Sequence, residues 1–193
     1  LWLGAKIEGG LRLAVSEFSD EYRPGSARNG YPPDDPNKPE HRVYKLNRVY
    51  NDPAARDAVL ADYTSGAVPH GAPPVTVQPD GTLDILGDEM MWAVYNDLDS
   101  TAHTNRADNL RKAMGVEVQQ TTFAFAAQGA LNNTLFIKYK VINRGPWFLD
   151  EMYASQWCDP DLGGATDDVV GCDVGQSIGF VYNSTNSDGV YGA

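Results

Sequence analysis

"GVEVQQTTFAFAAQ" at residues 115–128 and "NTLFIKYKVINRG" at residues 133–145 decide the fold. Both runs are rich in Val, Thr, Phe, Tyr and Ile, and apolar residues recur with a period of two. That period sets successive side chains on opposite faces of a strand. A turn around Gly129 joins the runs, so they are expected to pair antiparallel. Upstream, "MMWAVYND" (90–97) has the composition of a buried strand, and "HRVYKLNRVY" (41–50) alternates as a strand does. Residues 1–18 read as a hairpin turning at Glu8-Gly9-Gly10, and "FLDEMYASQW" (148–157) and "SIGFVYN" (177–183) add two more strands.

One helix is expected. Asp52 is placed to cap it, Pro53 takes the first helical position, "AARDAVLADY" continues it and Gly66 ends it. Residues 20–41, with Pro24, Pro32, Pro33, Pro36 and Pro39, and residues 66–82 are Pro/Gly-rich loops. The expected fold is mainly β: an antiparallel β-sandwich with long Pro/Gly-rich loops and one short helix, forming a single module over 1–193. The chain opens inside a strand and closes at "SDGVYGA", as expected of a piece of a larger protein.

At 42 % hydrophobic and 10 % aromatic residues, the 193-residue chain has the composition of a globular protein. No apolar run approaches the roughly 20 residues that span a bilayer, so no membrane insertion is expected. The net charge is −11. Nucleic acid is excluded as a partner, because binding it requires a basic surface that releases counterions. The acidity is uneven. No Lys or Arg follows Arg144, whereas Asp150, Glu151, Asp159, Asp161, Asp167, Asp168, Asp173 and Asp188 do.

Five of those aspartates fall in "WCDPDLGGATDDVVGCDVGQSIGFVYN" (157–183). Closely spaced Asp with Gly at tight turns is the pattern that holds calcium through hard oxygen ligands. Asp159, Asp161, Asp167, Asp168 and Asp173 are therefore the candidate ligands of one calcium ion, set against an ordinary solvated Asp/Gly turn. This is not an EF-hand, because Val170 stands where the bidentate Glu belongs. Cys158 and Cys172 flank the segment. A bridge between them would contribute about 3 kcal/mol by loop closure, and two free thiols are the alternative. Upstream, Asn96, Asp97 and Asp99 follow a strand and suit turn capping ahead of metal binding.

Gly175-Gln176-Ser177-Ile178-Gly179 matches G-x-S-x-G. The nucleophile elbow needs a helix after the Ser and a His later in the chain, whereas "IGFVYN" reads as a strand and His41, His70 and His103 all precede it. Ser177 is expected in a strand. No metalloprotease, phosphate-loop or dinucleotide motif is present, so no catalytic residue is assigned. Trp92, Trp147 and Trp157 are candidate platforms for stacking on sugar rings, although aromatics at strand spacing more often fill a core.

With these motifs in hand, "LWLGAKI", "HRVYKLNR", "GDEMMWAVYNDLD", the 115–145 pair and the acidic stretch resemble, in order, the blocks of a module in large secreted bacterial proteins. Those proteins often end in a type IX secretion sorting domain. Their last block reads W-S-D-x-D-L-G, then D-D-x-V-G-C-D, then G-Y-x-Y-N. Asp159, Asp161, Gly163, Asp167, Asp168, Gly171, Cys172, Asp173, Gly179, Tyr182 and Asn183 fall on it, while Cys158 replaces Ser and Phe180 replaces Tyr. The resemblance implies an exported, extracellular or surface-attached module, and supplies no activity. The expected function is a calcium-stabilised structural, adhesion or assembly module. It would work with neighbouring domains or copies of itself. The alternative is a carbohydrate-binding or glycoside-acting module.

Overall fold

Glu8 and Gly9 both hold left-handed backbone, at φ 52° and 80°, in the computed structural model, which describes residues 1–15, 21–28, 32–104 and 112–192. Two successive left-handed residues make the turn whose twist matches a hairpin. It joins β1 (Trp2–Ile7) to β2 (Gly10–Ala14), and Leu3, Ala5 and Ile7 alternate onto the buried face. Residues 16–18 of the expected second strand lie outside the described residues. The chain divides into two compact units, Leu1–Ser155 and Gln156–Ala193.

In the first unit, β3 (Arg23–Pro24) is a short strand within the Pro-rich loop, and β4 (Tyr44–Asn47) is the paired part of the 41–50 run. The expected helix is instead two helical segments, α1 (Pro53–Val59) and α2 (Ala61–Ser65). Asp52 caps the first, accepting from the Ala54 amide at 2.9 Å, and Gly66, at φ 78°, closes the second. Neither segment buries a residue of its own; the break between them turns Leu60 into the core. A small hairpin follows, β5 (Thr76–Val77) with β6 (Leu83–Asp84).

The main sheet is built on β7 (Glu89–Asn96), β8 (Val116–Ala124) and β9 (Leu135–Asn143), in the order β3-β7-β8-β9, with β4 also paired to β7. The expected antiparallel pair is β8–β9, in unbroken register from Val116↔Asn143 to Ala124↔Leu135. Its connection is longer than a tight turn and contains a 3-10 turn at Gly129–Asn133. The outer edge of β9 has no partner strand among the described residues. β10 (Asp150–Ser155) returns to pair with β1, making a second sheet β10-β1-β2.

The second sheet packs on the first: Leu3, Ala5, Ile7 and Ala14 share a core with Met114, Val116 and Val118. On the opposite face of the main sheet, Met90 joins Leu46, Leu60, Leu83 and Ile85, and Trp92 and Val94 pack with Tyr44. Each fully buried side chain such as Leu3 or Met90 contributes about 2 kcal/mol. The mainly-β, antiparallel, sandwich-like fold expected from the alternation is the one that forms.

The second unit centres on an antiparallel hairpin, β11 (Asp168–Asp173) with β12 (Ile178–Asn183). β12 was expected; β11 was read as loop, because Asp and Gly within "DDVVGCD" obscure its alternation. Ser177 stands in the intervening turn at φ 56°, not in a strand, and a strand follows it, so the elbow geometry is absent.

Candidate functional site

Asp168 and Asp173 occupy opposite ends of β11. At about 3.3 Å per residue, the five steps between them separate their backbones by roughly 16 Å. A calcium ion binds oxygens at about 2.5 Å, so one ion cannot take both, and the five-carboxylate centre expected from sequence does not fit. Among the described residues no three His, Cys, Asp or Glu come together as a metal-binding group.

The strand ends are occupied in other ways. The Leu162 amide donates to Asp168 Oδ2 at 2.9 Å, and the Asn183 side-chain amide reaches Asp168 Oδ1 at 3.2 Å. Asp173 is held by the backbone and side-chain N–H groups of Gln176, at 3.0 and 3.2 Å. The side chains of Asp159, Asp161 and Asp167 accept no hydrogen bond from any described residue, and Asp159 and Asp161 are exposed. Cys158 and Cys172 are both free and exposed, the second of the two alternatives the sequence left open.

Sequence reading missed the residue that organises this segment. Asp188 is 4 % exposed and accepts from the Gly164 amide at 2.9 Å and from the Val190 and Tyr191 amides, each at 2.6 Å. These amides, Gly164 first, hold its carboxyl below the usual range. Gly163, at φ 79°, lies against it; a Cβ there would fall 2.4 Å from the carboxylate oxygens. Backbone N–H groups here satisfy the carboxylate. The only sequence signal was an Asp before Gly189, a turn dipeptide.

Trp92 is 1 % exposed and belongs to the core, so it is no stacking platform. The indole N–H of Trp147 donates to the Met114 carbonyl, and the Arg12 guanidinium lies 4.3 Å over its ring. That ring is engaged from within the unit. Trp157 is half-buried.

Polar chemistry in the first unit gathers at one end of the main sheet. Asn96 and Asp99 cap turns, accepting from the Leu98 and Thr101 amides. Asp97, fully buried, reaches further: its carboxylate accepts from the Met114, Gly115 and Val116 amides at 2.6, 2.9 and 2.7 Å and so holds the start of β8. Burial pushes its carboxyl above the usual range, against the pull of those amides. His103 contacts the Asp97 and Leu13 carbonyl oxygens at 2.8 and 3.1 Å. Glu21, 1 % exposed, accepts from the Val15 amide at 2.8 Å.

Glu117, on β8, is a further buried carboxylate. It accepts from the Ala27 amide at 2.7 Å, the Gln119 side chain at 2.8 Å and Arg144 Nη2 at 3.1 Å. Above this pair opens a cleft of about 600 Å³, lined by Arg28, Asp34, Lys38, Glu40, His41, His70 and Arg144 among others. His41 Nδ1 meets the Asp35 carbonyl at 2.8 Å, and its Nε2 lies 3.7 Å from Asp34. The three histidines, isolated in sequence, thus divide into one buried in a carbonyl network, one under Gly25 and one exposed. No family model matches the chain, and no curated protein or solved structure is significantly similar to it.

Proposed function

We propose that this chain is a structural module of an exported protein, working through contact between β-surfaces and assembling with copies of itself. The observation that carries this reading is one exposed face of the second unit's hairpin. Ile178, Phe180 and Tyr182 alternate onto one face of β12 and are 47 %, 49 % and 46 % exposed, with the rings of Phe180 and Tyr182 5.9 Å apart. Contiguous exposed apolar surface of this kind marks sites of protein association, and aromatic side chains dominate the energetics of such contacts. The buried carboxylates of the first unit, by contrast, are bonded to backbone amides and stabilise the fold. Export is supported by the resemblance of the acidic block to secreted modules.

Calcium has a narrower place in this proposal than in the sequence reading. Asp168 and Asp173 are released from it; Asp159, Asp161 and Asp167 remain, and an ion binding there must draw the segment together. The test of assembly is sedimentation velocity over a concentration series. Self-association that weakens on Phe180→Asp supports the reading. A chain that stays monomeric at every concentration removes it.

A further inference from the structure

The cleft above the Glu117–Arg144 pair lies within the first unit. Its lining is polar, and its donors outnumber the groups that use them. A guanidinium has five N–H donors. Among the described residues Arg144 spends one, on Glu117, and its Nε is buried with no hydrogen-bond partner. Arg28, exposed on the rim, makes no hydrogen bond or ion pair with any described residue. The acceptors are unevenly committed. Asp34 already accepts from Ser26 at 3.3 Å and lies 3.6 Å from Lys38, whereas the Glu40 side chain is free of described partners.

We infer that this cleft binds a small hydroxy acid of the sugar-acid class, its carboxylate on Arg28 and Arg144 and its hydroxyls on Glu40 and His70. A planar fork of N–H donors matches a carboxylate in a way no neutral hydroxyl does. A simple oxyanion would leave the Glu40 carboxylate facing it with like charge, whereas a polyol offers Glu40 hydroxyl donors. The volume, about 600 Å³, lies within the range of small-molecule pockets and accommodates one sugar unit with ordered water. Arg144 is fixed from below by a fully buried carboxylate, so its fork is oriented before any ligand arrives.

Isothermal titration of the intact chain with galacturonate, galactose and inorganic sulfate tests this. Saturable binding of galacturonate is expected, with galactose and sulfate each at least tenfold weaker. Arg28→Ala, at an exposed side chain without partners among the described residues, should cost at least tenfold for galacturonate, and Lys6→Ala, on β1 of the other sheet, should cost nothing. Arg144→Lys keeps a charge against Glu117 and should weaken binding while leaving the melt intact. Equal affinity for galactose, equal affinity for sulfate, or a response unchanged by Arg28→Ala each overturns the assignment.

Discussion

Gly171 lies directly beneath the ring of Phe180, its cross-strand partner: a Cβ at Gly171 would fall 2.5 Å from the ring carbons Cε2 and Cζ. The glycine is there for space, since its backbone is not left-handed. Gly171→Ala should therefore destabilise the β11–β12 hairpin, by about 1–3 kcal/mol for an overpacked contact. The same change made on a Phe180→Ala background should be nearly neutral, because the obstruction is gone. Amide exchange across β11 and β12 in the double-mutant cycle reads the coupling. Additive effects of the two changes would show that the ring does not need the gap.

Asp97 is the stability lesion to look for in the first unit. Asp97→Ala leaves the Met114, Gly115 and Val116 amides buried without an acceptor. At about 1–3 kcal/mol for each buried unsatisfied donor, the loss should reach at least about 3 kcal/mol. Asp97→Asn keeps an acceptor oxygen and should cost less. Urea midpoints of the two variants give the order, and a loss under about 1 kcal/mol for Asp97→Ala would show that water replaces the carboxylate.

Acid should weaken the first unit through Asp62. Arg42 Nη2 and the Tyr44 hydroxyl donate to Asp62 Oδ2 at 2.9 and 2.8 Å, and hold its carboxyl below the usual range. A carboxyl depressed in the folded state adds stability above its unfolded value and loses it as pH falls through the folded one. The gap in urea midpoint between the native chain and Asp62→Asn should be widest near neutrality and close progressively below about pH 5. A gap constant from neutral to strongly acid solution would mean that Asp62 contributes by shape alone.

Calcium is tested by melting the chain in excess calcium and in chelator. An ion drawn onto Asp159, Asp161 and Asp167 binds the folded state and should raise the melting temperature by a few degrees. The rise should vanish in Asp161→Ala and survive Asp173→Asn, whose carboxylate serves the turn at Gln176. Identical melts in both buffers would leave the acidic segment to its backbone amides.

The legible parts of this fold were those where alternation ran uninterrupted. The β8–β9 pair, the first hairpin and the buried strand at 89–96 carry their period in Val, Phe, Ile and Trp, strongly enough to be read although Arg12 and Glu117 are buried within these strands. Asp52-Pro53 and Gly66 announced helix ends by capping chemistry, yet the break at Leu60 did not show, because it answers to the core beneath it. β11 was hidden since composition cannot tell an aspartate that ends a strand from one that binds a metal. The sites proved least legible. Asp97 holds amides 17 to 19 residues away, Asp188 joins the nearby Val190 and Tyr191 amides to that of Gly164, 24 residues away, and Arg28 and Arg144 come to line one cleft only after folding. Such pairings leave no local spacing to read.

The outer edge of β9 offers nine residues of backbone with no neighbouring strand among the described residues, and a bare edge of that length is a template on which another chain can polymerise. Lys138 and Lys140, both exposed, stand on it side by side in the alternation. They act as gatekeepers: two copies approaching edge to edge would bring like charges together before any ladder could form. Edge pairing of the main sheet is thereby opposed by repulsion, and neutralising both lysines should favour fibrous aggregation.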